Sequence, residues 1–148
     1  MLTINRSVLI IDDDPDTLLL IKMGLQLNLD WKIITANSAE EGILKAKANY
    51  PDVILSDTDT PQIDGMQMLR ALRENSVTKN IPVIFWTGIW KEINAQEYAH
   101  LGVKTVISKP CNFLTLANHI MQAAKVIGKC EVLSNTHSQV ISNTSVLI

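Results

Sequence analysis

Cysteine is nearly absent from this chain. Cys111 and Cys130 are the only two in 148 residues, too few for a disulfide framework. A helix filling the segment between them would hold its ends roughly 20 Å or more apart, whereas a disulfide needs Cα atoms within ~7 Å. Net charge is also nearly absent: 13 Lys and Arg against 15 Asp and Glu leave −2. No overall cationic field therefore favours nucleic acid or an anionic membrane surface. Long apolar runs are missing, since none approaches the ~20 residues that cross a bilayer. The opening Met1-Leu2-Thr3-Ile4-Asn5-Arg6-Ser7 has neither the apolar core nor the small-residue cleavage site of a signal peptide. Aromatics are 5% of the chain. Hydrophobic residues, at 47%, are plentiful enough to exclude disorder for most of it. The expectation is one cytoplasmic domain with two reduced thiols.

What is present is an alternation. Short β-rich apolar runs occur at 8–11, 31–35, 53–55, 82–86 and 103–107. Four lack clean polar–apolar alternation, which suits parallel strands buried on both faces. Segments of helical length lie between them. Asp14-Pro15 reads as a cap followed by proline at the first helical position, and Leu18, Ile21, Leu25 and Leu29 follow at helical spacing, with Gly24 a mild interior weakness. Ser38-Ala39-Glu40-Glu41 reads as a capping box. A third helix is expected over 65–74 and a polar-rich, loosely packed fourth over 91–100. A fifth is expected from Asn112, with Phe113, Ala117, Ile120, Ala124 and Ile127 in phase and Gly128 placed to end it. Five strand–helix repeats imply an α/β doubly wound (βα)5 fold with a five-stranded parallel sheet. The domain is expected over 5–128, with 129–148 a Ser/Thr/Asn-rich tail or extension. Its closing Val146-Leu147-Ile148 fits a partner strand, a homodimer contact or packed cover.

The acids are clustered. Asp12, Asp13, Asp14 and Asp16 follow the first strand; Asp57 and Asp59 follow the third, with Asp64 just beyond. Ligands of open α/β sheets bind beyond the carboxyl ends of the strands, where strand order reverses. With strand order 2-1-3-4-5, Asp12, Asp13 and Asp57 converge there. Carboxylates so close repel unless a cation neutralises them. Oxygen-only ligands too few for a closed cage favour Mg²⁺. Asp14 and Asp16, and with them Asp64, fit turn and capping chemistry instead. Strand four ends in Phe85-Trp86-Thr87-Gly88 and strand five in Ile107-Ser108-Lys109-Pro110, adding a hydroxyl and an ammonium suited to phosphoryl oxygens.

An acid pair, a lone acid, a Thr and a Lys-Pro, each ending its own strand in that order, resemble a two-component response-regulator receiver domain. The resemblance covers about 5–128 and implies a flavodoxin-like fold. In it Asp12-Asp13 match the acidic pair, with Asp13 a direct metal ligand, and Asp57 matches the phosphoacceptor. Pro61-Gln62-Ile63-Asp64-Gly65 matches the Pro-x-x-Asp-Gly stretch, Thr87 the hydroxyl that closes over the phosphoryl group, and Lys109-Pro110 a pair whose peptide bond is usually cis. It implies Mg²⁺ held by Asp12, Asp13, Asp57 and the backbone carbonyl of Asp59. It also implies a donor that is a histidine kinase or histidine phosphotransfer protein, and a switch in protein contacts. The chain is expected to stand alone, to be no enzyme beyond its own phosphotransfer and autodephosphorylation, and to act on an unknown downstream protein rather than on nucleic acid or membrane.

Three positions depart from the pattern. Val106 stands where an aromatic switch residue is common. Asp59, two after the phosphoacceptor, is expected to alter phosphate lifetime. Trp86 and Trp90 flank Thr87, with Trp86 expected in the core and Trp90 as a surface contact. Two other readings stand beside the leading one. One is an adaptor that keeps the site without switching. The other is an aspartyl-phosphate phosphatase, because Asp57-Thr58-Asp59-Thr60 fits the Asp-x-Asp-x-Thr motif of haloacid-dehalogenase-type enzymes, although there the motif generally follows the first strand. His100, His119 and His137 have no metal-ligand spacing and are expected to be exposed; Cys111 reads as a small buried hydrophobe.

Overall fold

Runs of apolar residues without polar interruption become strands covered on both sides. In a computed structural model describing residues 5–57, 65–87, 99–108 and 112–124, five such strands form one sheet. The order of elements is β1 (Ser7–Ile11), α1 (Pro15–Gln26), β2 (Lys32–Ala36), α2 (Ala39–Asn49), β3 (Val53–Asp57), α3 (Gly65–Glu74), β4 (Val83–Thr87), β5 (Val103–Ser108) and α4 (Phe113–Ala123). All strand pairs are parallel and the order is β2-β1-β3-β4-β5, as expected from the sequence. Strand ends differ from the expected ones by one or two residues. The expected helix over 91–100 falls outside the described residues except for its last two, Ala99 and His100, which are helical. Ile127 and Gly128, read as the end of the last helix, also lie outside them, as does the tail. Among the described residues, no helix is long and apolar enough to cross a membrane.

Alternation along the strands splits the core into two layers. Val8, Ile10, Val53, Leu55, Ile84 and Trp86 pack with Leu18, Ile21 and Leu25 of α1 and Leu116, Ala117 and Ile120 of α4. Leu9, Ile11, Ile54, Val83 and Phe85 pack on the other side with Ala46 of α2 and Met68, Leu69 and Leu72 of α3. The helix starts are capped as read. Asp14 accepts from Asp16 N–H (3.1 Å) and from the Thr17 hydroxyl (2.8 Å). Ser38 Oγ accepts from Glu41 N–H (3.0 Å), while Glu41 Oε1 reaches back to Asn37 N–H (2.6 Å), one residue before the position a capping box uses. Asn112 Oδ1 accepts from Thr115 N–H (2.7 Å).

Gly24 has a structural reason. The ring of Phe113, the first residue of α4, lies against it so closely that a Cβ would sit 2.6 Å from the ring's Cδ1. Ala for Gly in an open helix gains about 1 kcal/mol. Here the ring must move, so Gly24→Ala is expected to destabilise by roughly 1–2 kcal/mol. Urea unfolding reads the sign.

A second tie joins the leading ends of β4 and β5. Arg73, in the last turn of α3, donates to the carbonyls of Leu101 (2.6 Å), Ile81 (2.7 Å), Lys79 (3.1 Å), Thr78 (3.2 Å) and Gly102 (3.4 Å). Gly102 takes a left-handed φ of 85°, and a Cβ there would lie 2.9 Å from an Arg73 nitrogen. Burial lowers the Arg73 pKa from its ordinary value, yet a guanidinium stays charged.

Candidate functional site

The site begins where β1 runs out of apolar residues. Asp12 N–H still donates to Ala36 O of β2 (3.1 Å), so Asp12 extends the strand direction. Its Oδ1 then accepts from Asp14 N–H (2.9 Å) and turns the chain into α1. On the neighbouring strand, Ile11 is level with Ser56, which sets Asp12 beside Asp57, the last residue of β3. Asp12 is 2% exposed and Asp57 4%, while Asp13 is half-buried. One carboxylate oxygen from each of the three lies within 4.8 Å of the others.

At about 4 Å, two like charges repel by roughly 4 kcal/mol at an effective dielectric constant near 20. Three acids at this spacing, two of them buried and one half-buried, therefore call for a cation. The donors are all carboxylate oxygens and one side of the cluster is open through Asp13, which fits a hard divalent ion that keeps some of its water. Asp14 and Asp16 stay out of the cluster, as helix cap and first-turn acid.

The other expected site residues are placed in part. Asp57 is level with Trp86 of β4, and Thr87, one residue on, is level with Ser108 of β5. The backbone thus orders the carboxyl ends of β1, β3, β4 and β5 side by side, the order in which the sequence delivers acid pair, acid, hydroxyl and Lys-Pro. Asp59, Asp64, Trp90, Lys109, Pro110 and Cys111 lie outside the described residues. Val106 is half-buried, level with Phe85 and packed on the α2–α3 side. Trp86 is in the core, as expected.

One expectation is corrected. His100 is exposed, but His119 is buried on α4, 9% exposed, beside Leu116, Ala117 and Ile120 on the inner side of the helix. A lone histidine between polar Asn118 and apolar Ile120 reads as surface; the phase of the helix turns it inward. Burial lowers its pKa below the ordinary 6.5. The unfolded chain then binds this proton first. Stability from this group is full above the unfolded value and falls as pH drops below it towards the folded one. His119→Gln is expected to flatten that part of the stability–pH curve, measured by urea unfolding on either side of pH 6. Another residue near the cluster gave little sequence signal. Ser56, wholly buried, directs its hydroxyl to Asp57 O (3.2 Å), its one trace being a polar residue inside an apolar strand.

Comparison with known proteins agrees with this geometry. The model of the response regulator receiver domain matches residues 8–121. Response regulator Rre1 of Synechocystis is 30% identical over 70% of this chain, and the alkaline phosphatase synthesis transcriptional regulatory protein PhoP of Bacillus subtilis is 27% identical over 72%. The match spans 45% and 43% of those two relatives, less than half of either. The chemotaxis protein CheY4 of Vibrio cholerae superposes with a TM-score of 0.73 at 27% identity, over 81% of this chain and 99% of that one. Sheet order, converging acids and family match lead to one assignment: the chain belongs to the response regulator receiver domains of two-component signalling.

Proposed function

We propose that the chain accepts a phosphoryl group on Asp57 from the phosphohistidine of a histidine kinase or histidine phosphotransfer protein, and that the new charge changes its protein contacts. The convergence of Asp12, Asp13 and Asp57 carboxylate oxygens at the carboxyl ends of β1 and β3 carries this reading. A carboxylate oxygen of Asp57 attacks phosphorus, the P–N bond of the donor breaks as the O–P bond forms, and the imidazole leaves with a proton. Asp12, Asp13, Asp57 and the backbone carbonyl of Asp59 are the group that would hold Mg²⁺. Bound there, Mg²⁺ supplies charge neutralisation for the transferring oxygens. Lys109 and Thr87 are assigned to the phosphoryl oxygens, Asp59 to the lifetime of the phosphate, and Trp90 to partner contact. Val106 leaves no ring to couple Thr87 movement to the surface, so the switch runs through backbone and helix contacts. The receiver is taken as 5–128, with 129–148 as an extension.

Incubation of the full chain with a small phosphodonor tests the proposal. We expect one phosphate per chain, dependent on Mg²⁺ and lost with a chelator. No incorporation overturns it. Continuous release of phosphate from a generic monoester points instead to a phosphatase, and labelling without any change in partner binding points to an adaptor.

A further inference from the structure

Helix α1 is apolar on the side that faces away from the sheet as well as on the side that faces it. Leu20, Met23 and Leu27 are 56–87% exposed. At 3.6 residues per turn they fall within about 60° of one another, opposite the core residues Leu18, Ile21 and Leu25. Leu20 and Leu27 are also the i−4 and i+3 neighbours of Gly24, on which the ring of Phe113 lies. The stripe therefore adjoins the seam between α1 and α4. The outer side of α4 adds Leu114, 59% exposed, and half-buried Met121. Charge is scarce on these two helices. Lys22 is the one charged residue between 18 and 29, and α4 has no Asp, Glu, Lys or Arg, whereas α2 carries four and α3 three. A helix apolar all round is the pattern of a helix that is covered.

One segment of the chain has the same character. All 13 Lys and Arg and all 15 Asp and Glu lie before residue 132. The stretch 132–148 carries instead three apolar clusters, Val132-Leu133, Val140-Ile141 and Val146-Leu147-Ile148. A segment that stays in water is rich in charge and poor in such clusters. We propose that this stretch folds back over α1 and seats Val140-Ile141 and Val146-Leu147-Ile148 on Leu20, Met23 and Leu27. The chain leaves α4 at Ala124, which packs against the same core layer as α1. Adjacent helix axes lie about 8–10 Å apart, and the stripe from Leu20 to Leu27 is roughly 10 Å long. The 16 residues from Ala124 to Val140 span up to about 50 Å, so the reach is ample. A tethered segment also meets the face at an effective concentration on the order of mM, far above a second copy in dilute solution. A charged partner would find only Lys22 to pair with. Tether, neutrality and apolar clusters together select the chain's own segment as the occupant.

Methyl NOE spectroscopy on the full wild-type chain tests the seat directly. Contacts from the Leu147 and Ile148 methyls to those of Met23 and Leu27 are expected, and they should persist unchanged on dilution. A Met23 methyl without any contact to 132–148 overturns the proposal. So do contacts that, in a mixture of labelled and unlabelled chains, cross from one copy to another, because a second copy is then the occupant. A double-mutant cycle gives a second readout by urea unfolding. Leu27→Gln is expected to raise the unfolding equilibrium constant about five- to tenfold in the wild-type chain, but less than about twofold once Leu147→Ser and Ile148→Ser are present. Leu44→Gln, at an exposed leucine of α2 on the other side of the sheet, is expected to act equally in both backgrounds. Equal effects of Leu27→Gln in the two backgrounds overturn the proposal as well.

Discussion

Asp57→Asn is expected to reduce phosphate incorporation to background, a loss on the order of a hundredfold or more, because an amide offers no nucleophilic oxygen at the position Asp57 holds. A second effect has the opposite sign. Asp57 and Asp12 are almost fully buried, with Asp13 beside them. Without a divalent cation, removing one charge relieves repulsion from the other two. The variant is therefore expected to be more stable than the wild type by roughly 1–2 kcal/mol in chelator. Mg²⁺ should stabilise the wild type more than the variant, since an ion that binds only the folded state adds RT ln(1 + [L]/Kd). Urea unfolding with and without Mg²⁺, beside labelling with a small phosphodonor, separates the two effects. A variant that labels like the wild type would falsify the assignment of Asp57. One that loses labelling and is less stable in chelator would show that the three acids do not repel as their spacing requires.

Arg73→Ala is expected to cost about 3–4 kcal/mol of folding free energy, the largest stability effect foreseen for a single substitution here. The guanidinium reaches five main-chain carbonyls, and partly buried acceptors left without a donor lose on the order of 1 kcal/mol or more each. Arg73→Lys is expected to recover only part of this, because an ammonium is a point donor and cannot span the set. The effect should be regional. Hydrogen exchange should rise first in the segments leading into β4 and β5. Those segments lie at the end of the parallel sheet opposite the acids, so the folded fraction should still label on Asp57. Equal loss of protection across the whole sheet would contradict a local clamp.

Much of the architecture was legible because parallel strands and capped helices leave local marks. Val8–Ile11 of β1 and Val53–Leu55 of β3 are uninterrupted apolar runs and become neighbouring interior strands. Asp14 and Ser38 cap the helices their side chains suggested. The acid cluster was legible for a different reason. Each acid sits at the end of a strand, and strand order alone brings two strand ends together. What stayed hidden depends on contacts between residues distant in sequence. Arg73 reads as an ordinary helix-end cation until Leu101 and Gly102 arrive 28 and 29 residues later. Gly24 reads as a weakness until Phe113 is laid on it. His119 reads as exposed because its neighbours in sequence say little about which way the helix turns. Lys45 looks like half of an i,i+4 pair with Glu41, and only the fold shows its second bond, to the Thr35 carbonyl of the edge strand β2.

The acceptors gathered by Arg73 are all main-chain carbonyls, a group every amino acid carries. The clamp itself makes no demand on side-chain identity at its acceptors, although Thr78, whose buried hydroxyl donates to Leu72 O, Ile81 in the core and the left-handed turn at Gly102 are each held by constraints of their own. Among the acceptors, exposed Lys79 is free to vary without loosening the sheet, while the single arginine that serves them all has no equivalent replacement. Mutational tolerance in this part of the molecule is thus distributed very unevenly: wide at exposed Lys79, limited where Thr78 and Ile81 are buried, and narrowest at one position on α3.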